Sequence, residues 1–105
     1  MQVISSSELK TLLDSNVHVN LIDVREPVEH LEFNIGGKLL PLGHIQSMMT
    51  DDIDDLKNAE IICYCRSGNR SMQACLMLET FGFKNVLGDR ELTESYRAAL
   101  SGRGQ

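Results

Sequence analysis

The chain has 105 residues, 42% of them hydrophobic, and its 10 Lys+Arg against 15 Asp+Glu give a formal charge of −5. That length suits one domain with one core, the apolar content is too high for a disordered chain, and the acidic balance argues against binding nucleic acid or an anionic membrane. Three Cys are too few, and odd in number, for a disulfide framework; no apolar run approaches the ~20 residues that span a bilayer; and Met1-Gln2-Val3-Ile4-Ser5 lacks the basic and apolar regions of a signal peptide. A reducing, cytoplasmic setting is the expectation, with neither a nucleic-acid nor a membrane partner.

In chain order, Ser5-Ser6-Ser7-Glu8 offers a capping box, with Ser5 at the N-cap and Glu8 three residues on. Leu9, Leu12 and Leu13 then follow at helical spacing. Residues 19 to 24, Val-Asn-Leu-Ile-Asp-Val, read as a buried strand, and Pro27 suits the first turn of a second helix. Lys38-Leu39-Leu40-Pro41 reads as a short strand that the proline ends or confines to an edge. Residues 50 to 56 form a short acidic helix with Ile53 and Leu56 turned inward. Its four Asp are a solvated face near a helix N-terminus, because the Gly and closing Glu of a calcium loop are missing. Ile61-Ile62-Cys63-Tyr64-Cys65 is a short, continuous, β-rich strand, and residues 71 to 81 make a helix stopped by Gly82. Residues 83 to 87 return as a strand, and 91 to 100 close the domain as a helix. Strands alternate with helices, which implies an α/β domain: a mainly parallel central sheet with helices on both faces. The domain is expected over residues 1 to 100, with 101 to 105 as a loose tail.

In such a sheet, ligands bind beyond the carboxyl ends of the strands, where the turn after Cys65 falls. Cys65-Arg66-Ser67-Gly68-Asn69-Arg70-Ser71 joins the central strand to the next helix. A helix beginning near Asn69 aims its unpaired N–H groups and positive dipole end at the Cys65 sulfur. Gly68 permits backbone conformations that other residues resist, and Arg66 and Arg70 add full positive charge. No acidic residue occurs between Glu60 and Glu79. Such surroundings favour a thiolate over a thiol, and sites of this kind can lower a Cys pKa from about 8.5 into the ~3.5–7.5 range. The same cradle suits a small anion. An inert buried Cys beside two solvated arginines would leave the Gly, the paired Arg and the strand-to-helix setting unexplained. Cys63 and Cys75 read the other way, as small apolar core residues on a strand and on a helix stripe. Cys63 and Cys65 share one side of the strand, but a disulfide across a single residue would be strained. Zinc is not expected either: no Cys-x-x-Cys occurs, and His18, His30 and His44 are scattered surface or packing residues.

Two motifs resemble the rhodanese family of sulfurtransferases in its single-domain form. Residues 21 to 30, Leu-Ile-Asp-Val-Arg-Glu-Pro-Val-Glu-His, are similar to that family's strand-and-turn signature, and residues 65 to 71 to its active-site loop. The likeness runs from about Val3 to Tyr96. It implies a rhodanese-like fold in which Cys65 is the catalytic residue, taking a sulfane sulfur from a donor such as thiosulfate. The resulting persulfide passes its sulfur to cyanide or to a thiol. Arg66, Ser67, Gly68, Asn69 and Arg70 form the substrate cradle on this likeness, with Asp23, Arg25 and Ser71 supporting the loop; Asp23 is expected to pair with Arg70. No cofactor and no metal are implied. Asn34 stands where many members have His, and Glu91, Leu92 and Tyr96 stand where glycines and a Trp are usual.

Competing chemistries are separated by loop length and acceptor. Tyrosine phosphatases use Cys-x5-Arg, whereas only four residues lie between Cys65 and Arg70. That makes a tighter cradle, suited to one sulfur atom more than to a phosphoryl group, so phosphatase or arsenate reductase action is the lesser alternative. A persulfide carrier that hands sulfur to a partner protein in a relay would share the chemistry at Cys65 and differ only in its acceptor.

Overall fold

The structure is a computed structural model whose described residues are 2–66 and 68–89. The closing helix over 91 to 100, Ser67, the tail from 101, and the departures at Glu91, Leu92 and Tyr96 lie outside them. Among the described residues, five strands and four helices follow in order: β1 (Gln2–Ile4), α1 (Ser6–Asp14), β2 (Asn20–Asp23), α2 (Pro27–Glu32), β3 (Lys38–Leu39), α3 (Leu42–Gln46), β4 (Glu60–Tyr64), α4 (Asn69–Thr80) and β5 (Asn85–Asp89). The acidic segment Asp51–Leu56 is a 3-10 helix, with Ile53 buried and Leu56 partly buried.

Local chemistry sets the boundaries. Ser5 Oγ accepts the Glu8 N–H at 3.1 Å and Glu8 Oε1 accepts the Ser5 N–H at 3.2 Å, which closes the capping box on α1. Pro27 opens α2 at the position where its missing N–H costs nothing. At the end of α4 the Phe83 N–H returns to Leu78 O and the Gly82 N–H to Glu79 O. This is a Schellman turn, and Phe83 and Leu78 are both buried in one core cluster.

The strands pair in the order β1-β5-β4-β2-β3, all parallel. Strand β4 is central and buried on both faces, so its sequence is a continuous apolar run rather than an alternating one. Ile62 and Tyr64 face one side, where Leu9 of α1 packs with Ile4 and Leu21. Ile61 and Cys63 face the other, packed against Ile45 of α3, Ile53, and Ala74, Cys75 and Leu78 of α4. Helices therefore cover both faces, as the alternation of elements predicts. Strand β3 is a two-residue edge strand that Pro41 follows closely. Among the described residues no helix is long and apolar enough to cross a membrane.

Candidate active site

The topology places a crevice before any side chain is considered. Strand β4 continues through α4 to β5 on one side, and β2 continues through α2 to β3 on the other. Two neighbouring parallel strands whose connections leave in opposite directions open a cleft between their carboxyl ends. Asp23 and Tyr64 are register partners at those ends, and Cys65 is the next residue along.

Cys65 is buried at the floor of its loop. Its sulfur accepts the Gly68 N–H at 2.9 Å and the Ser71 N–H at 3.3 Å. The first bond depends on Gly68, which caps α4 at φ +96° and turns its N–H back toward the strand; a side chain would resist that left-handed backbone. The second uses a first-turn N–H that α4 itself leaves unpaired. Two backbone donors aimed at one sulfur stabilise negative charge on it and hold it in place. Ser71 is buried beneath them. Its Oγ lies 3.5 Å from the sulfur and donates to carbonyl oxygens of Asp89 at 2.6 Å or Gly68 at 3.0 Å, which ties the loop to the end of β5.

Arg66 and Asn69 are exposed at the rim. Arg70 does not pair with Asp23, contrary to the expectation from sequence. Its guanidinium makes a two-pronged bridge to Glu29 of α2, Nη1 to Oε1 at 2.6 Å and Nη2 to Oε2 at 3.0 Å. The hydrogen bonds from Arg70 bring the Glu29 carboxyl down to about 2, and the same pairing raises Arg70 above its ordinary value.

Asp23 is instead committed to its own turn. Its Oδ1 accepts the Arg25 backbone N–H at 3.0 Å and Nε at 2.9 Å, and Oδ2 accepts Nη2 at 2.8 Å. His30 Nδ1 lies 2.7 Å from Oδ2, and the Tyr64 hydroxyl reaches the same oxygen at 3.2 Å. Burial works to raise the Asp23 carboxyl, but the hydrogen bonds from Arg25 and His30 outweigh it and hold it below the usual range. Tyr64 also lies within reach of the Gly36 carbonyl at 3.0 Å, while Arg25 Nη2 donates to Phe33 O at 2.6 Å and stands 5.5 Å from the Tyr64 ring centre. Burial above all raises the Tyr64 phenol, so it stays a neutral donor. Asp23 and Arg25 thus fix the β2–α2 turn, and Glu29 lies in the first turn of α2 that follows it.

Three members of this arrangement escape a reading of the sequence: Glu29, His30 and Tyr64. Glu29 sits inside the first motif, yet nothing in its helical position distinguishes it from a solvated acid. Cys63 and Cys75 are buried in one cluster, as expected of core residues. A hydrogen bond between the Cys63 thiol and Cys75, together with burial, pushes that thiol well above its ordinary value, so it is held neutral.

An α/β domain with a cysteine loop at the switch point of a parallel sheet is the class that fold and site define. The profile of the rhodanese-like domain matches residues 5–88. A protein from Allochromatium vinosum named "Sulfurtransferase" is 36% identical over 88 residues, which is 83% of this chain and 79% of that protein. The Bacillus subtilis protein named "Putative sulfur carrier protein YrkF" is 34% identical over 85 residues, 80% of this chain, but the match spans only 44% of its length. The solved structure of a human single-domain sulfurtransferase, TSTD1, superposes with a TM-score of 0.69 at 22% identity, covering 86% of this chain and 89% of that one. The chain belongs to the rhodanese-like family of sulfurtransferases.

Proposed function

We propose that this protein moves sulfane sulfur through a persulfide on Cys65, with thiosulfate as donor and cyanide or a thiol as acceptor. The observation that carries the reading is the pair of N–H groups from Gly68 and Ser71 converging on one buried sulfur at a helix N-terminus. The Cys65 thiolate attacks the outer sulfur of thiosulfate. A sulfur–sulfur bond forms, the one within thiosulfate breaks, and sulfite leaves with the electron pair. The terminal persulfide sulfur is then attacked by the acceptor, cyanide leaving as thiocyanate, and the Cys65 thiolate is restored. Gly68 and Ser71 hold the sulfur that carries charge at the start and end of the cycle, while Arg70 and the exposed Arg66 offer charge to the anionic donor. By the family resemblance, Ser67 and Asn69 are assigned to the same cradle.

The carrier reading shares every step up to the persulfide and differs in its acceptor, a partner protein's thiol. The name given to YrkF favours keeping it as the second reading. Thiocyanate production from thiosulfate and cyanide tests the first, with Cys65→Ser as the comparison. Turnover by the wild type and none by a folded variant is expected; turnover retained by Cys65→Ser would overturn the assignment of the nucleophile.

A further inference from the structure

The loop that holds Cys65 is bridged by a charge pair to an element far away in sequence. Arg70 is the second residue of α4 and directly precedes Ser71, whose backbone N–H bonds the Cys65 sulfur. Both of its terminal nitrogens are gripped by Glu29, 41 residues upstream on α2. Glu29 is itself fixed: its Oε1 also accepts the Glu26 N–H at 3.0 Å, and α2 begins two residues after the buried Asp23–Arg25 pair. A fork-to-fork pair between planar groups sets orientation as well as distance. The guanidinium and carboxylate are each only about a third exposed or less, at 30% and 26%. Left alone, an arginine side chain at a helix start would sample several rotamers, and its charge would be spread over them.

We infer that Glu29 is a positioning residue that acts through Arg70, locking the guanidinium at the mouth of the Cys65 loop so that its remaining N–H donors meet an incoming anion. Glu29 spends its own charge on the clamp, so what the donor meets is a placed set of hydrogen-bond donors more than a bare cation. The assignment deepens the sulfur-transfer reading and rests on it for its consequence in turnover.

The test uses the full chain and alkylates Cys65 with anionic iodoacetate and neutral iodoacetamide, followed by intact mass with Cys65→Ser as the blank. Wild type, Glu29→Gln, Arg70→Ala and the double variant are compared. Glu29→Gln keeps an oxygen for the Glu26 N–H and loses the fork. The rate ratio of iodoacetate to iodoacetamide is expected to fall roughly fivefold in Glu29→Gln, because losing the placed Arg70 donors outweighs the removal of a nearby negative charge. Arg70→Ala should lower it at least as far, and adding Glu29→Gln to Arg70→Ala should change nothing more. With thiosulfate, the same variant should raise KM more than it lowers kcat. A ratio that stays the same or rises in Glu29→Gln, or that falls equally in the Arg70→Ala background, would overturn the assignment. Alkylation needs no sulfur transfer. If the ratios behave as expected while thiosulfate leaves wild-type Cys65 unmodified, the sulfur-donor reading fails and the role of Glu29 stands.

Discussion

Gly68 delivers its backbone N–H to the Cys65 sulfur across 2.9 Å, and it does so from a φ of +96°. The bond and the conformation are one feature, because the left-handed turn aims the donor back at the strand end it has just left. Gly68→Ala should therefore act twice. The strained backbone is expected to cost ~1–2 kcal/mol of stability, seen as a lower midpoint in urea. Sulfur transfer should slow at the same time, measured as thiocyanate formed, because relaxation of the turn withdraws the donor. Unchanged turnover in a destabilised protein would mean that this N–H does not support the reacting sulfur.

Acid should loosen the molecule in a particular window. Glu29 is held at about 2 in the folded chain against an ordinary 4.5. A depressed carboxyl contributes its stability above the unfolded value and loses it as pH falls through the folded one. Asp23, also lowered from 3.8, adds loss of the same sign. Melting temperature should decline as pH drops from about 4.5 toward 2, and the decline should be shallower in Glu29→Gln. Parallel curves for the two proteins would show that the Glu29–Arg70 bridge carries no net stability.

Neighbouring glycines give a paired comparison. Gly36 and Gly37 both hold positive φ, at +101° and +85°. A Cβ on Gly36 meets nothing within 4 Å, whereas one on Gly37 would run into the carbonyl oxygen of Leu21 in β2. Gly36→Ala should cost ~1–2 kcal/mol from backbone strain alone. Gly37→Ala should cost about 3 kcal/mol or more, because strand β2 itself would have to move. Urea unfolding of the two variants decides it, and equal losses would contradict this account of the β2–β3 approach.

Much of this architecture is legible before any coordinates. The capping box at Ser5 and Glu8, the buried run Ile61–Cys65 and the Gly82 stop are local signals, and each marks its element within a residue or two. The Cys65 loop is equally local, since nucleophile, glycine and helix start lie within seven residues. Charge pairing is a different matter. Periodicity places Asp23 and Arg70 at the same end of the sheet, but it carries no rotamer, and Asp23 finds closer donors in Arg25 and His30. Glu29 gives no sequence signal beyond its motif, because an acid on a short exposed helix normally faces water. Tyr64 fits the strand as an aromatic; the use of its hydroxyl depends on the turn before β3, which strand patterning does not reach.

The central claim is that Cys65 carries the transferred sulfur, and intact mass after incubation with thiosulfate tests it most directly. The wild type should gain one sulfur atom, mapped to Cys65, lost on adding cyanide, and absent from Cys65→Ser. A wild-type mass that thiosulfate leaves unchanged, or a sulfur atom mapped to Cys63 or Cys75, would contradict the claim.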